Sequence, residues 1–569
     1  MPFSITRRFD VACCLALLVS LSVILFAGCY LAHDYESLIA KYIALKNCFY
    51  RADLWPQQFF TARVKSQGNN WNWLALMLGA VSAWYSIHRL KTQTLSLQPS
   101  SYRAVPGHWP YRGLLLLSGM ALWWFSHHHT RPAYDEIFSA VHCAGMHPFQ
   151  TVSYYMLPNN HLLFNVLNSL LPLTPEDKVM SGRLISLLAF LATQQIAFSV
   201  LKQKMSLPAA LGAVLLLSLS LPTLGFASQA RGYSLQLLAG WGVVAGVWRY
   251  FDKGDRLAGR WMLLGVVAGY ALLPSFLFFH IAVVLFALIM QWYSGRWNIS
   301  FWKYQLLAAA FVFMFYLPAL SFSGLEAFTG NKYMRADDKS LWEFAGQFFG
   351  LSDFFMNYAF SSIFTEKTYP VLYMLYLLPL SLLLSKNKKN RAIAVFYSLM
   401  WLSVVLIVLG MKKIPFSRNL IIQYSIGLGA ILYTIYYWLQ EWSRRWNALK
   451  ATGVLLGGLL LAMSLILGMR FPKIAGEQLY FNRANELYEA NSRGQATLPT
   501  DVPVAFSHES FYWYYLRLQS GGAARLCPNG DEPYLVKRSS ESLPKSLMKN
   551  YELYDQPEGD GYEIWKKTK

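Results

Sequence analysis

The chain has 569 residues, 55% of them hydrophobic and 16% aromatic, with 50 Lys and Arg against 30 Asp and Glu. That apolar content excludes an ordinary soluble enzyme. The net charge of +20 does not point to nucleic acid, because the basic residues sit in clusters on alternate connections between apolar runs and not in one patch.

Taken in chain order, the apolar runs lie near 11–32, 71–88, 112–126, 182–200, 206–224, 232–250, 261–273, 274–291, 304–321, 369–385, 391–409, 420–439 and 452–470. This gives about thirteen spans by the roughly twenty-residue rule for a bilayer-crossing helix. The seventh is short, and only Pro274 separates it from the eighth. Arg7-Arg8, the group Arg89 to Arg112, Lys202/Lys204, the group Arg249 to Arg260, Arg296/Lys303, the group Lys386 to Arg391 and Arg444/Arg445/Lys450 fall on every second connection. By the positive-inside rule the N-terminus is cytoplasmic and the tail after 470 is external. Lys41, Lys46, Arg51, Arg63 and Lys65 fit less well, since they would be outside.

The fold class expected is mainly α: a polytopic membrane protein with interfacial helices in an outer loop and a small extracytoplasmic α/β domain. Residues 1–111 form an N-terminal transmembrane hairpin with its loops, 112–470 a transmembrane core with a long outer loop at 127–181, and 471–569 the C-terminal domain. The outer loop alternates apolar and polar clusters, such as Ile137-Phe138 and Leu162-Leu163-Phe164, as short amphipathic helices do. In the tail, 503–506, 524–526, 534–536 and 562–565 read as strands, with helices at 509–519 and 541–549. The aromatic run Tyr512-Trp513-Tyr514-Tyr515 reads as packing on that sheet.

The cysteines show no metal spacing. Cys13, Cys14 and Cys29 lie in the first span, and one pair among Cys48, Cys143 and Cys527 could be bridged outside. Phe26-Ala27-Gly28-Cys29 looks like a lipoprotein cleavage box, but an uncleaved first span is the expectation. His127-His128-His129 reads as a juxtamembrane anchor, because adjacent side chains diverge and do not converge on a metal. Asp337-Asp338 reads as a solvated loop patch.

The informative residues share one predicted face. Asp135-Glu136 follows the third span, and a carboxylate beside a bilayer is costly unless it has a task. Then come Asn160-His161, Arg183 opening the fourth span, Arg231-Gly232-Tyr233 opening the sixth, and Arg418 opening the twelfth. A carboxylate can take a hydroxyl proton. Arginines grip phosphate through a planar fork that stays charged when partly desolvated.

These runs resemble the C-type integral-membrane glycosyltransferases, especially the bacterial group of galacturonosyl, aminoarabinose and protein O-mannosyl transferases. YDEIFSA is similar to that family's Asp-Glu segment, and NNHLLFNVLN to its His-Pro-Pro-Leu-Tyr-Tyr segment, with His161 kept and the prolines replaced by leucines. SGRLISLL resembles its Arg-Leu-Pro-Ser run, QARGYSLQLL its Glu-Ala-Arg-Xaa-Tyr run and FSRNLIIQ its late Arg-Tyr-Leu-Leu run. The resemblance covers roughly 112–440. It departs in placing the acidic pair after the third span and not the first, which an extra N-terminal hairpin accounts for.

The resemblance implies a polyprenyl-phosphate-linked sugar donor, a glycan, lipid or protein acceptor, and inverting displacement at the outer face of a bacterial inner membrane, with no cofactor and no required metal. Asp135 would be the general base, with Glu136 orienting the acceptor or tuning it. Arg231, Arg418 and Arg183 would hold the departing phosphate, with His161 and Tyr233 in the substrate site. A secondary transporter or lipid-linked-sugar flippase is the competing reading, but such proteins place polar groups near mid-bilayer. A surface-polysaccharide polymerase or ligase would share the donor.

Overall fold

The computed structural model describes residues 11–46, 55–92, 108–155, 160–174, 177–253, 256–295, 297–329, 335–336, 340–351, 369–445 and, in the tail, 504–506, 513–514, 525–526, 530–539, 545–556 and 562–568. The segment at 452–470 lies outside these residues, as do Cys48, Cys527 and Asp337-Asp338.

The chain is mainly α. Helices α1 (Val11–Ala32), α2 (Tyr35–Leu45) and α3 (Ala62–Thr92) precede α4 (Trp109–His129). The segment after α4 then folds as α5 (Tyr134–Phe138), a π turn at Ser139–Ala144, α6 (Pro148–Ser153) and α7 (Leu162–Ser169). The core continues with α8 (Asp177–Leu201), α9 (Leu207–Leu219), α10 (Leu221–Ala227), α11 (Tyr233–Lys253), α12 (Arg256–Leu272), α13 (Leu277–Ser294) and α14 (Ile299–Ser323). After α15 (Glu326–Thr329) and α16 (Leu341–Gly350) come α17 (Tyr369–Leu377), α18 (Lys388–Met411) and α19 (Ile421–Arg445). Among the described residues, five helices are long and apolar enough to cross a membrane: 177–201, 274–294, 299–323, 388–411 and 417–443. The protein is thus an integral, polytopic membrane protein.

Proline decides where the apolar runs break. The run at 206–224, expected as one span, is two helices that part at Ser220, whose ψ is 136°. Pro222 has no N–H to continue the ladder. The 13 residues of α9 rise only about 20 Å, short of a hydrocarbon core of about 30 Å. Pro274 opens a 3-10 turn between α12 and α13, and α17 passes into a 3-10 stretch at Leu378–Leu384 that begins with Leu378-Pro379.

The N-terminal hairpin is built against the segment between α4 and α8. Helix α1 packs along α3, and α3 along α14. Tyr42, Trp55 and Phe60 form one aromatic cluster with Met146, Tyr154 and Phe322. Two of the basic residues that fitted the sidedness rule poorly are spent on backbone carbonyls here. Lys46 Nζ donates to Gly145 O at 2.6 Å, and Lys65 Nζ to Tyr30 O at 3.1 Å.

The tail carries a five-stranded sheet in the order β4-β3-β5-β7-β6. Its strands follow the two-residue ribbon of β1 (Arg335–Ala336) and β2 (Lys413–Ile414), and are β3 (Val504–Phe506), β4 (Arg525–Leu526), β5 (Tyr534–Arg538), β6 (Tyr551–Asp555) and β7 (Tyr562–Lys567). β3 pairs in parallel with β4 and β5, while β7 pairs antiparallel with β5 and β6. Each predicted strand has a counterpart. β6 was not foreseen, and the helix expected at 541–549 is described as α20 (Lys545–Met548). Only residues 513–514 of the helix expected at 509–519 lie inside the described set. One face of the sheet docks on the segment between α4 and α8. Val504, Phe506, Trp513, Tyr514, Val536 and Ile564 share an apolar core with Ile137, Ala140, Val141 and Val179. The tail and the 127–181 segment therefore lie on the same side of the helices.

Candidate active site

Helix α5 is only five residues long, yet it sends its two acids to different places. Successive residues on a helix point about 100° apart. Asp135 faces an opening, and its side chain keeps 34% exposure. Glu136 turns inward and is wholly buried.

Glu136 is held on both oxygens. Oε1 accepts from Arg183 Nε at 2.9 Å and from the Ala230 amide at 2.7 Å. Oε2 accepts from Arg183 Nη2 at 3.0 Å and from the Ala133 amide at 2.9 Å, the latter closing the N-terminus of α5. Arg183 is equally engaged, its Nη1 reaching His127 Nδ1 and Thr130 O, each at 3.0 Å. The His127 ring stacks on Trp123 at 4.7 Å. One buried bidentate pair thus ties α4, α5, α8 and the segment before α11 together. Gly182 permits the approach, since a Cβ there would come within 2.7 Å of Ala230 Cβ.

Asp135 meets the other two arginines. Arg418 Nη1 donates to Oδ2 at 3.1 Å, and Arg231 Nη2 lies 3.6 Å from the same oxygen. Arg231 Nη1 also donates to Asp135 O at 3.1 Å. Arg231 is buried, at 2% exposure, whereas Arg418 is 32% exposed. Arg418 comes from a 3-10 turn at Ser417–Leu420, just after the ribbon in which Ile414 pairs with Arg335 of the long loop. Among the described residues, one carboxylate and two guanidiniums leave this cluster with one net positive charge.

His161 and Tyr233 complete the surroundings. The Gly232 amide donates to His161 Nδ1 at 3.0 Å, so the proton of the neutral ring sits on Nε2. Burial, helped by Arg231 and Arg418, holds His161 well below its ordinary range and keeps it neutral. Only glycine fits at 232, because a Cβ would stand 2.7 Å from Nδ1. Tyr233 meets the His161 ring edge-on at 4.7 Å and lies beside Arg231, 5.7 Å from ring centroid to guanidinium.

The structure therefore brings Asp135, Arg231, Arg418, His161 and Tyr233 together and sets Glu136 and Arg183 apart as a buried clasp. His127, which sequence reasoning placed as an anchor, belongs to that clasp. Among the described residues no group of three or more His, Cys, Asp or Glu is arranged to hold a metal. Cys143 is a free, buried thiol, pushed up to about 12 by burial.

An apolar cavity of about 420 Å³ lies between α12, α13 and α14, lined by residues including Tyr270, His280, Gln305, Ala309, Tyr316 and Phe328. Its polar groups are mutually satisfied: Tyr270 Oη with His280 Nδ1 at 3.0 Å, and His280 Nε2 with Gln305 Oε1 at 2.7 Å. Its rim adjoins the site. Tyr155 stacks on Phe328 at 4.5 Å and shares a cluster with Leu162 and Tyr316.

Fold and site define a polytopic integral membrane protein with a carboxylate–arginine centre where the ends of α4, α8, α11 and α19 meet. Among solved structures the chain is similar to two crystal structures of ArnT from Cupriavidus metallidurans. One is described as bound to undecaprenyl phosphate, with 11% identity over 81% of this chain and 98% of that one, at a TM-score of 0.49. The other is described as the apo state, with 12% identity over 80% and 97%, also at 0.49. No family model matches the sequence, and no curated protein matches it.

Proposed function

We propose that this protein is a glycosyltransferase that moves a sugar from a polyprenyl-phosphate donor to an acceptor hydroxyl at the extracytoplasmic face of a bacterial inner membrane. The observation that carries the reading is the convergence of Arg231 and Arg418 on one carboxylate, Asp135, from segments 96 and 283 residues away. The motif resemblance and the membrane fold agree with it. The one net positive charge suits a phosphodiester monoanion, and the buried end of the cluster keeps water from weakening the contact.

In this mechanism the donor phosphate draws the two guanidiniums away from Asp135 Oδ2. The acceptor oxygen attacks the anomeric carbon while its proton passes to Asp135. The bond from that carbon to the phosphate oxygen breaks with inversion, and the polyprenyl phosphate leaves with a second negative charge. Arg231 and Arg418 stabilise the growing charge. Glu136 does not meet the acceptor here. With Arg183 it fixes α5 against Ala230, and so sets Asp135 beside Arg231. His161 and Tyr233 border the donor. The cavity between α12 and α14 takes the first part of the prenyl chain. About thirteen spans, a cytoplasmic N-terminus and the 1–111, 112–470 and 471–569 division belong to the same reading.

Arg231→Ala and Arg418→Ala are expected to weaken donor binding by about 1.5–3 kcal/mol each, the scale of one charged hydrogen bond. Lysine at either position restores only part of this, because it lacks the fork. Donor affinity of purified variants, measured without acceptor, tests the proposal; unchanged affinity in both alanine variants would overturn it. Ala309→Phe fills the cavity from an exposed rim position. It should lower affinity for long-chain donors, by ~0.8 kcal/mol per excluded CH₂, and spare a short-chain analogue. A titration against chain length reads this directly.

A further inference from the structure

Three uncharged polar groups beside the charged cluster are buried without a hydrogen-bond partner among the described residues: His161 Nε2, Gln236 Oε1 and Ser417 Oγ. They come from three separate segments that meet at one end of the helices. His161 precedes α7 and touches Gly232. Gln236 lies one turn further along α11, its amide donating to Gly232 O at 3.0 Å. Its side-chain nitrogen points to Ser275 Oγ at 3.4 Å, and the turn at Pro274–Phe276 packs on the turn at Ser417–Leu420. Ser417 is the immediate neighbour of Arg418.

A buried polar atom left without a partner costs about 1–3 kcal/mol, so native proteins retain few of them. Three next to a charged centre call for a ligand that satisfies them. The set is chemically specific. Gly232 occupies Nδ1, so His161 offers a donor at Nε2. Gln236 offers an acceptor at Oε1. Ser417 can do either. A donor, an acceptor and a hydroxyl on adjoining segments complement the hydroxyls of a sugar ring, each of which both gives and takes a hydrogen bond.

We propose that His161, Gln236 and Ser417 form an uncharged subsite for the ring of the transferred sugar, next to the arginines that hold its phosphate; this rests on the glycosyltransferase reading above. The subsite selects a neutral hexose or pentose over a cationic amino sugar. Among the described residues the centre carries net positive charge, and Glu136, the neighbour of Asp135, is consumed by Arg183 and two backbone amides. An ammonium group would meet two guanidiniums against the single carboxylate of Asp135.

The test measures affinity of the full-length purified protein for three lipids: polyprenyl phosphate without sugar, the same lipid carrying a neutral hexose, and the same lipid carrying an amino sugar. The parent should prefer the neutral-hexose lipid. Gln236→Leu, Ser417→Ala and His161→Asn should each weaken it about fivefold to tenfold, as loss of one neutral hydrogen bond does, and leave the sugarless lipid within about twofold. The two histidine variants separate binding from packing. Asparagine can accept from the Gly232 amide as Nδ1 does but cannot reach the Nε2 position; glutamine reaches that position with an N–H but cannot replace Nδ1. A sugar contact predicts better retention by His161→Gln, and a purely structural histidine predicts the reverse. Equal losses for sugar-bearing and sugarless lipids, better retention by His161→Asn, or preference for the amino-sugar lipid would overturn the subsite while leaving the phosphate clamp standing. Failure of the parent to bind any of the three lipids would overturn the function and the subsite together.

Discussion

Asp135→Asn is expected to lower turnover by about 10²–10⁴-fold, the usual contribution of a positioned general base. Asparagine keeps the shape of aspartate but cannot accept the acceptor's proton. The side chain is about one-third exposed, as is Arg418, whereas Arg231 is buried and loses a countercharge 3.6 Å away. Arg231 keeps its bond to the Asp135 carbonyl, so some loss of stability with retention of the fold is expected, checked by thermal unfolding of the variant. Donor binding supplies the control. Removing the carboxylate raises the charge of the cluster from one net positive to two, so affinity for an anionic donor should hold or tighten. The pattern is then a fall in kcat with KM unchanged or lower, which marks loss of a transition-state contribution and not of ground-state binding. Initial rates and equilibrium donor binding on the same purified preparation check both parts. Turnover like the parent's would remove Asp135 from the role of base.

Much of this site is legible in the chain because it depends on position relative to the membrane. Apolar run length places Asp135, Arg183, Arg231 and Arg418 at helix ends, and alternating basic connections put those ends on one face. The division of labour among the residues was not legible. Asp135 and Glu136 are adjacent and chemically alike, and only the direction each takes from α5 decides that one meets Arg418 and the other Arg183. Arg183 was expected to hold phosphate, but its donors reach Glu136, His127 and Thr130 O, groups whose approach depends on tertiary packing. A partial signal existed: Glu136 stands three residues after Ala133, the spacing at which a glutamate closes a helix N-terminus. The break at Ser220 was also foreseeable from Pro222, which a sliding apolar window ignores. In the tail, β6 begins at Tyr551 among charged residues, and its exposed Glu552 and Leu553 hide the alternation that marks a half-buried strand.

The clasp carries the second large expectation, on stability. Glu136→Gln should destabilise the protein by about 3–5 kcal/mol, because it leaves the Arg183 guanidinium buried and uncompensated. Arg183→Met should cost a similar amount by stranding the carboxylate. Replacing both, as Glu136→Leu with Arg183→Met, removes the stranded charge but still deprives the Ala133 and Ala230 amides of their acceptor. At about 1–3 kcal/mol for each unsatisfied buried amide, the double variant should recover part of the loss and not all of it. Arg183→Lys keeps the charge without the fork and should fall between parent and Met. Thermal unfolding in detergent, run as a double-mutant cycle with Glu136→Leu as the matching single variant, separates the ion-pair coupling from the amide contribution. Activity tests the positioning role separately. Glu136 binds the Ala230 amide, and Ala230 precedes Arg231, so loosening the clasp moves the phosphate-binding arginine relative to Asp135. A folded Glu136→Gln protein, assayed well below its transition, should therefore show weaker donor binding as well as slower turnover, whereas Asp135→Asn loses turnover alone. Additive single and double effects, with donor affinity intact in Glu136→Gln, would show that the pair neither stabilises the fold through coupling nor positions the site.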